Sequence, residues 1–296
     1  MSLQLGLDGM PARLVRVTPS RLATWEDCRR RYRLTYLDRP TPPRGGPRAA
    51  STLGAVVHNA LRAVFGEPPA RRSGPRAAAE VERRWSSEGF RDDAQAAVYR
   101  ERARGWVADY VERHAVVDAP EPQGDPVGVE RWLSAPVGTI VAEGRADRLD
   151  ERALRDGSGS AALRVPEIVV VDYKTGRRLP DADDVRGSPA LALYALAVRH
   201  VLRRPCRRVE LHHLPSGTVA AADHDEDSLA AHRARAEASA AGLAEAAEEW
   251  DAAPGRTEDL FPPTPGPRCG ACDVRRHCPE GRAAAPAEVA WSGLAP

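Results

Sequence analysis

Lysine is almost absent from this sequence. Of 43 Lys and Arg residues only one is Lys, at position 174. Arg offers a rigid, permanently charged fork and does not replace a compact amine on a flexible stem. A composition that has exchanged Lys for Arg everywhere else marks Lys174 as a place where Arg would fail. Long apolar runs are missing too. The longest, Ile168–Val171 and Ala190–Val198, fall well short of the ~20 residues of a membrane helix. Near the N-terminus Asp8, Pro11, Arg13 and Arg16 interrupt any signal-peptide core, so the expectation is a cytoplasmic protein with no membrane partner. Neither sign of charge is in excess: 42 Asp and Glu leave a net charge of +1. That excludes a globally basic nucleic-acid coat and leaves only local patches. Five cysteines, an odd number, favour metal or cluster ligation over disulfides in a reducing compartment.

What is present reads as helices, then strands. Leu22, Trp25, Tyr32 and Tyr36 recur at helical spacing behind Ser20, a candidate N-cap, and Cys28 lies on that helix. Further helices fit Leu53–Phe65, with His58, and about Arg76–Val116, breaking near Gly89. Strands fit Val127–Leu133 and Gly138–Asp150, joined at Ala135-Pro136, and then Ile168–Tyr173 after a loop over 151–164. A helix over Pro189–Leu202, a hairpin of Arg208–Leu214 with Thr218–Ala222, a helix over Asp227–Trp250 and a Pro-rich tail complete the order. Residues 1–17 read as a frayed or edge segment. This predicts an α/β or α+β arrangement with a mixed central sheet and flanking helices. The whole chain, 1–296, reads as one domain: a helical part (18–116), a sheet core (127–222) and a cysteine tail (254–296).

Two constellations carry chemistry. In Val171-Asp172-Tyr173-Lys174-Thr175-Gly176, Asp172 and Lys174 are two apart on a strand and share a face. Asp147, in Gly144-Arg145-Ala146-Asp147, converges on Asp172 if the two strands pair. Carboxylates suit Mg²⁺ or Mn²⁺, such an ion assists phosphodiester hydrolysis, and an amine stabilises the charge that develops. His58 completes a mixed His/Asp/Asp metal set. The second constellation is Cys269-x2-Cys272-x5-Cys278, with Cys28 in the first helix as the fourth thiolate and Cys206 left over. Four thiolates suit a [4Fe–4S] cluster or a structural Zn²⁺. Closing so long a loop stabilises by about 5 kcal/mol, by analogy with a cross-link. Arg residues 29–31 and 275–276 flank the cysteines as a candidate phosphate-contacting patch, Arg30 and Arg31 foremost.

In this order the pieces resemble the PD-(D/E)XK nuclease superfamily. They are Ser20–Tyr36 with Cys28, Gly54-x-x-x-His58, Gly144–Asp147, Val171–Gly176, Leu191–Ala197 with Tyr194, and Cys269/Cys272/Cys278. The likeness is to RecB-family exonucleases with an iron–sulfur staple, as in AddB-type helicase–nuclease subunits and CRISPR spacer-acquisition nucleases. The resemblance implies a restriction-endonuclease-like αβββαβ core acting on DNA in repair or recombination. It implies that His58, Asp147, Asp172 and the Tyr173 carbonyl bind the divalent metal and that Lys174 is the catalytic lysine. It implies that Cys28, Cys269, Cys272 and Cys278 hold a [4Fe–4S] cluster. Arg177 and Arg178, just past the lysine, and Tyr194 are candidate DNA contacts. One departure stands out: where family members carry Gln four residues before the tyrosine, this sequence has Ala190. That position keeps a second reading open, a DNA-binding or scaffold protein of the same fold, beside a third, a zinc-stapled hydrolase. With no G-x-x-x-x-G-K-[ST] loop, the chain is expected to work alone or with a separate motor, a helicase or repair partner.

Overall fold

The computed structural model describes residues 14–119, 126–152, 166–252 and 257–294. In chain order the elements are β1 (Val15–Val17), α1 (Pro19–Asp27), α2 (Arg29–Tyr32), α3 (Ala49–Phe65), α4 (Gly74–Arg83) and α5 (Asp93–His114). Next come β2 (Pro126–Val137), β3 (Ile140–Arg152), β4 (Glu167–Lys174), α6 (Ala182–Arg186) and α7 (Pro189–Leu202). Then follow β5 (Arg208–His213), β6 (Thr218–Asp223), α8 (Glu226–Ala252), α9 (Thr257–Leu260) and α10 (Pro279–Ala284). The expected mixed sheet flanked by helices is present, with six strands. The expected loop over 153–164 and the segment before residue 14 lie outside the described residues, while 151 and 152 belong to β3.

Local chemistry moves several expected boundaries. Thr18, not Ser20, caps α1, its hydroxyl accepting the Arg21 amide. Cys28 breaks the first helix with extended backbone, and α2 restarts behind it. Ala135 and Pro136 lie within β2, paired to β3. The turn is instead at Gly138, whose φ of +60° favours a residue without Cβ. Asp92 caps α5 through the Gln95 amide, which places the helical break at 84–92 around Gly89.

Strand β3 organises the sheet. Antiparallel β2 runs along one side of it. The other side is shared by β1, parallel at residues 140–142, and β4, antiparallel at 148–152. Residues 143–147 therefore have no strand partner on that side, because β1 and β4 diverge there. Beyond β4 the order continues with β5, parallel, and β6, antiparallel.

Two apolar layers cover the sheet. Leu22, Trp25, Leu191, Leu229 and Leu243 of α1, α7 and α8 pack with Ile168 and Val170 on one face. Leu53, Val57, Leu61, Val81, Val107 and Val111 of α3, α4 and α5 pack with Val169, Val171 and Tyr173 on the other. Strand β4 is thus buried on both faces, which explains its unbroken apolar run. Each such side chain stabilises by about 1.5–3 kcal/mol when fully buried.

Beneath β4 lies a polar cluster that the sequence did not reveal. Arg148 is fully buried. It donates to the Tyr110 hydroxyl at 3.0 Å, the Tyr173 hydroxyl at 2.8 Å and Asp150 at 3.0 Å. Its guanidinium also sits 4.3 Å from the centre of the Phe65 ring. Tyr110 donates to His212 Nδ1 at 2.6 Å, and His212 Nε2 donates to Glu210 at 2.8 Å. This pattern satisfies a neutral imidazole. Burial, helped by the charges of Arg148 and Arg152, outweighs Glu210 and lowers the His212 pKa to about 4.

An unfolded His titrates near pH 6.5. Between about pH 6.5 and 4 the unfolded chain therefore binds more protons at this position, and the stability from His212 is lost as pH falls. His212→Gln is expected to flatten that part of the stability profile, measured by denaturant unfolding from pH 7 to 4.

Candidate metal centre

The site forms where β3 loses its partner. The β3–β4 ladder ends at Arg148↔Val171, so Asp147 comes next to Asp172. Instead of a strand carbonyl, Asp147 Oδ2 accepts the Tyr173 amide at 3.0 Å. Asp172 and Lys174 do share a face, with Lys174 Nζ 2.5 Å from Asp172 Oδ2. On α3 the buried stripe Leu53, Val57, Leu61 has helical spacing, and His58 sits at its margin, directed to the sheet. His58 Nε2 is 3.1 Å from the Tyr173 carbonyl oxygen, and Nδ1 is 3.3 Å from Asp147 Oδ2. Five sequence-predicted residues, His58, Asp147, Asp172, Tyr173 and Lys174, thus meet in one place. Four come from adjacent strands, while His58 is brought in by α3 from about 90 residues upstream of Asp147.

The structure adds a residue the sequence reading missed, Glu130. It lies on β2 with a left-handed φ of 48°. Its Oε1 is 4.0 Å from His58 Nδ1, and its Oε2 is 3.6 Å from Arg145 Nη1. Among the described residues, the ligand atoms of His58, Glu130 and Asp147 all lie within 4.8 Å of one another. No motif marks Glu130, because a hairpin register places it there.

Three carboxylates crowd one half-buried corner, and their electrostatics register the crowding. Burial and the charge of Asp147 push the Glu130 carboxyl up. Burial also pushes Asp172 up, with Asp147 adding and Lys174 opposing. Burial works against a charged His58, but its hydrogen bond to Asp147 and the three acids raise its pKa. Tyr194 rises to about 12 through burial and the charges of Asp172 and Asp147, although the Arg145 amide bonds its oxygen. Hard oxygen donors plus one imidazole fit Mg²⁺ or, better, Mn²⁺. Tyr194 approaches so closely that a Cβ on Gly144 would lie 2.7 Å from its ring.

The second constellation also assembles. Cys28, Cys269, Cys272 and Cys278 line one cavity of about 590 Å³. Cys28 Sγ caps α2, accepting from the Arg31 amide at 3.5 Å. Cys278 Sγ caps α10, accepting from the Gly281 amide at 3.3 Å. A Cβ on Gly281 would lie 3.3 Å from Cys278 Sγ and 3.6 Å from Cys269 Sγ, so glycine keeps the space between them open. Cys206 is buried elsewhere, and burial pushes its thiol up.

The expected arginine patch is corrected. Arg30 is only 5% exposed and pairs with Glu258 and Glu280, so no phosphate reaches it. Arg31 pairs with Asp273 at 3.1 Å and Asp27 at 3.7 Å. Arg275 and Arg276 bond backbone carbonyls of Ala285, Arg282 and Arg44. Arg30 and Arg31 brace α2 against the tail, Arg275 bonds within the tail, and Arg276 reaches the loop before α3. Past Lys174, Arg177 is exposed, and Arg178 holds Asp184 at 2.5 Å.

Glu130 gives the metal reading a direct check. Glu130→Gln is expected to weaken Mn²⁺ binding about ten-fold or more in a calorimetric titration, without lowering the melting temperature.

No curated protein matches the chain. The sequence model of the PD-(D/E)XK nuclease superfamily, whose members hydrolyse phosphodiester bonds with divalent metals such as Mg²⁺ or Mn²⁺, matches residues 16–279. With the sheet, the paired acids and the lysine on one strand end, that match covers nearly the whole chain: it belongs to the PD-(D/E)XK nuclease superfamily.

Proposed function

We propose that the chain is a metal-dependent DNA exonuclease of repair or recombination, a single domain acting in the cytoplasm. The carrying observation is the convergence of His58, Asp147, Asp172 and Lys174 at the open side of β3. His58, Glu130, Asp147, Asp172 and the Tyr173 carbonyl would hold the divalent ion. When bound, such an ion polarises the phosphoryl group and acidifies the attacking water. Lys174 Nζ, beside Asp172, would orient the water and offset charge developing on the phosphate. The exposed Arg177 contacts the strand's phosphates, which makes binding salt-dependent. A separate helicase or repair partner supplies unwound strand.

Cys28, Cys269, Cys272 and Cys278 would hold a [4Fe–4S] cluster that clips α2 to the tail. Their shared cavity and the opening at Gly281 support this reading. Zinc is the alternative occupant.

Two measurements test these assignments. Anaerobically purified wild type is expected to degrade end-labelled DNA with Mn²⁺ or Mg²⁺ and not with EDTA. Lys174→Ala is expected to lose at least about 100-fold in rate, the scale of a charge-stabilising contact. No degradation by wild type would leave the DNA-binding reading that Ala190 keeps open. For the cluster, wild type is expected to carry about four irons and four sulfides per chain. Cys272→Ser is expected to lose them and melt earlier; zinc without iron would assign the staple to Zn²⁺.

A further inference from the structure

Beside the metal centre lies a second cavity, of about 510 Å³, between α1, α7, α8 and the β2–β3 edge. Tyr194, Arg145 and Gly144 form one wall, and Arg145 also reaches Glu130 of the metal centre, so the two sites are neighbours. The rest is mainly apolar: Leu22, Leu193, Ala190 and Trp132. Trp132 is the notable member. It stands on the edge strand β2, paired opposite Arg145, and 57% of it is exposed. A tryptophan left open at a cavity mouth is unusual, since its ring otherwise gains by burial. Ala190 matters for the opposite reason. The family's usual Gln at this helical position would project into the space that Ala leaves clear.

We propose that this cavity receives a nucleobase of an unpaired DNA strand, stacked on Trp132, while the adjoining phosphate lies at the metal centre. The proposal rests on the nuclease reading above. Every base has a π-face, so an aromatic platform holds single strands without regard to sequence. The charge pattern fits the same occupant. Arg145, more than half exposed and only loosely paired with Glu130 at 3.6 Å, faces the strand's phosphates beside the ring. Arg235 at the far rim is held by Glu26 and does not compete. A paired duplex base is stacked on both sides and cannot enter, so the cavity selects frayed or unwound ends.

The test is binding without cleavage. Labelled oligo-dT and the same strand carrying abasic sites are titrated in EDTA, by fluorescence anisotropy, against wild type, Trp132→Ala, Trp132→Phe and Ala190→Leu. Wild type is expected to prefer the base-bearing strand about ten-fold, equivalent to about 1.4 kcal/mol. Trp132→Ala and Ala190→Leu are expected to abolish the preference, the first by removing the platform and the second by filling the space. Trp132→Phe, which still stacks, retains most of it. The proposal falls if Trp132→Ala keeps the full preference, or weakens both strands equally. If wild type degrades DNA with Mn²⁺ yet shows no preference, the base pocket falls and the nuclease stands. If it neither binds nor degrades either strand, both fall.

Discussion

One hydrogen bond, from the Tyr173 amide to Asp147 Oδ2, marks the point on which the chemistry depends. A sheet ladder normally pairs each amide with a neighbouring carbonyl, and a buried amide without a partner is costly. Here β1 and β4 leave β3 at different points, and the side chain of Asp147 takes over where the ladder stops. The same atom lies 3.3 Å from His58. Strand ending, acid position and imidazole position are therefore one structural event. Moving any of them would leave a polar group unpaired.

The opening is held by packing on both faces. Above it, Tyr194 reaches from α7 onto Gly144 and touches the electrostatics of both aspartates. Below it, the Tyr173 ring is anchored by buried Arg148, which pairs with Asp150 and leans on Tyr110 and Phe65. A buried charge missing its partner costs about 3–5 kcal/mol, so this anchor resists rearrangement. The strand that presents Asp172 and Lys174 cannot rotate without dislodging Tyr173. Rigidity beneath and crowding of like charge above are the two conditions under which carboxylates hold a cation well. They also fix the geometry that positions a lysine amine beside an acid.

The cysteine tail follows a different logic. The cysteine-bearing tail meets the N-terminal helices around Cys28. There Arg30, Arg31 and Arg275 are occupied by acids and carbonyls of the tail, and Arg276 by the Arg44 carbonyl. Charge that looks like a nucleic-acid patch in one dimension is internal bracing in three. Two of the four cysteines cap short helices with their sulfurs.

Much of this was legible in the chain itself. Alternation and helical spacing placed the strands and most helices, because burial imposes those periods directly. A single lysine after a doubly buried strand identified Lys174 and Asp172, since two residues apart on a strand must share a face. Gly-x-x-Asp and the cysteine spacing marked the remaining motif residues. What the tertiary structure alone decided were contacts between segments that carry no mutual signal. Glu130 enters the site through hairpin register, and Arg148 is buried only because Asp150, Tyr110 and Tyr173 surround it. Arg30 is occupied because Glu258 and Glu280 reach it from the tail, and Ala190 and Trp132 line one cavity only because α7 packs at the β2 edge. Sequence specifies which residues can do the chemistry, through local periodicity and side-chain type. The fold decides which of them meet, because distance between segments is set by packing that no single stretch encodes.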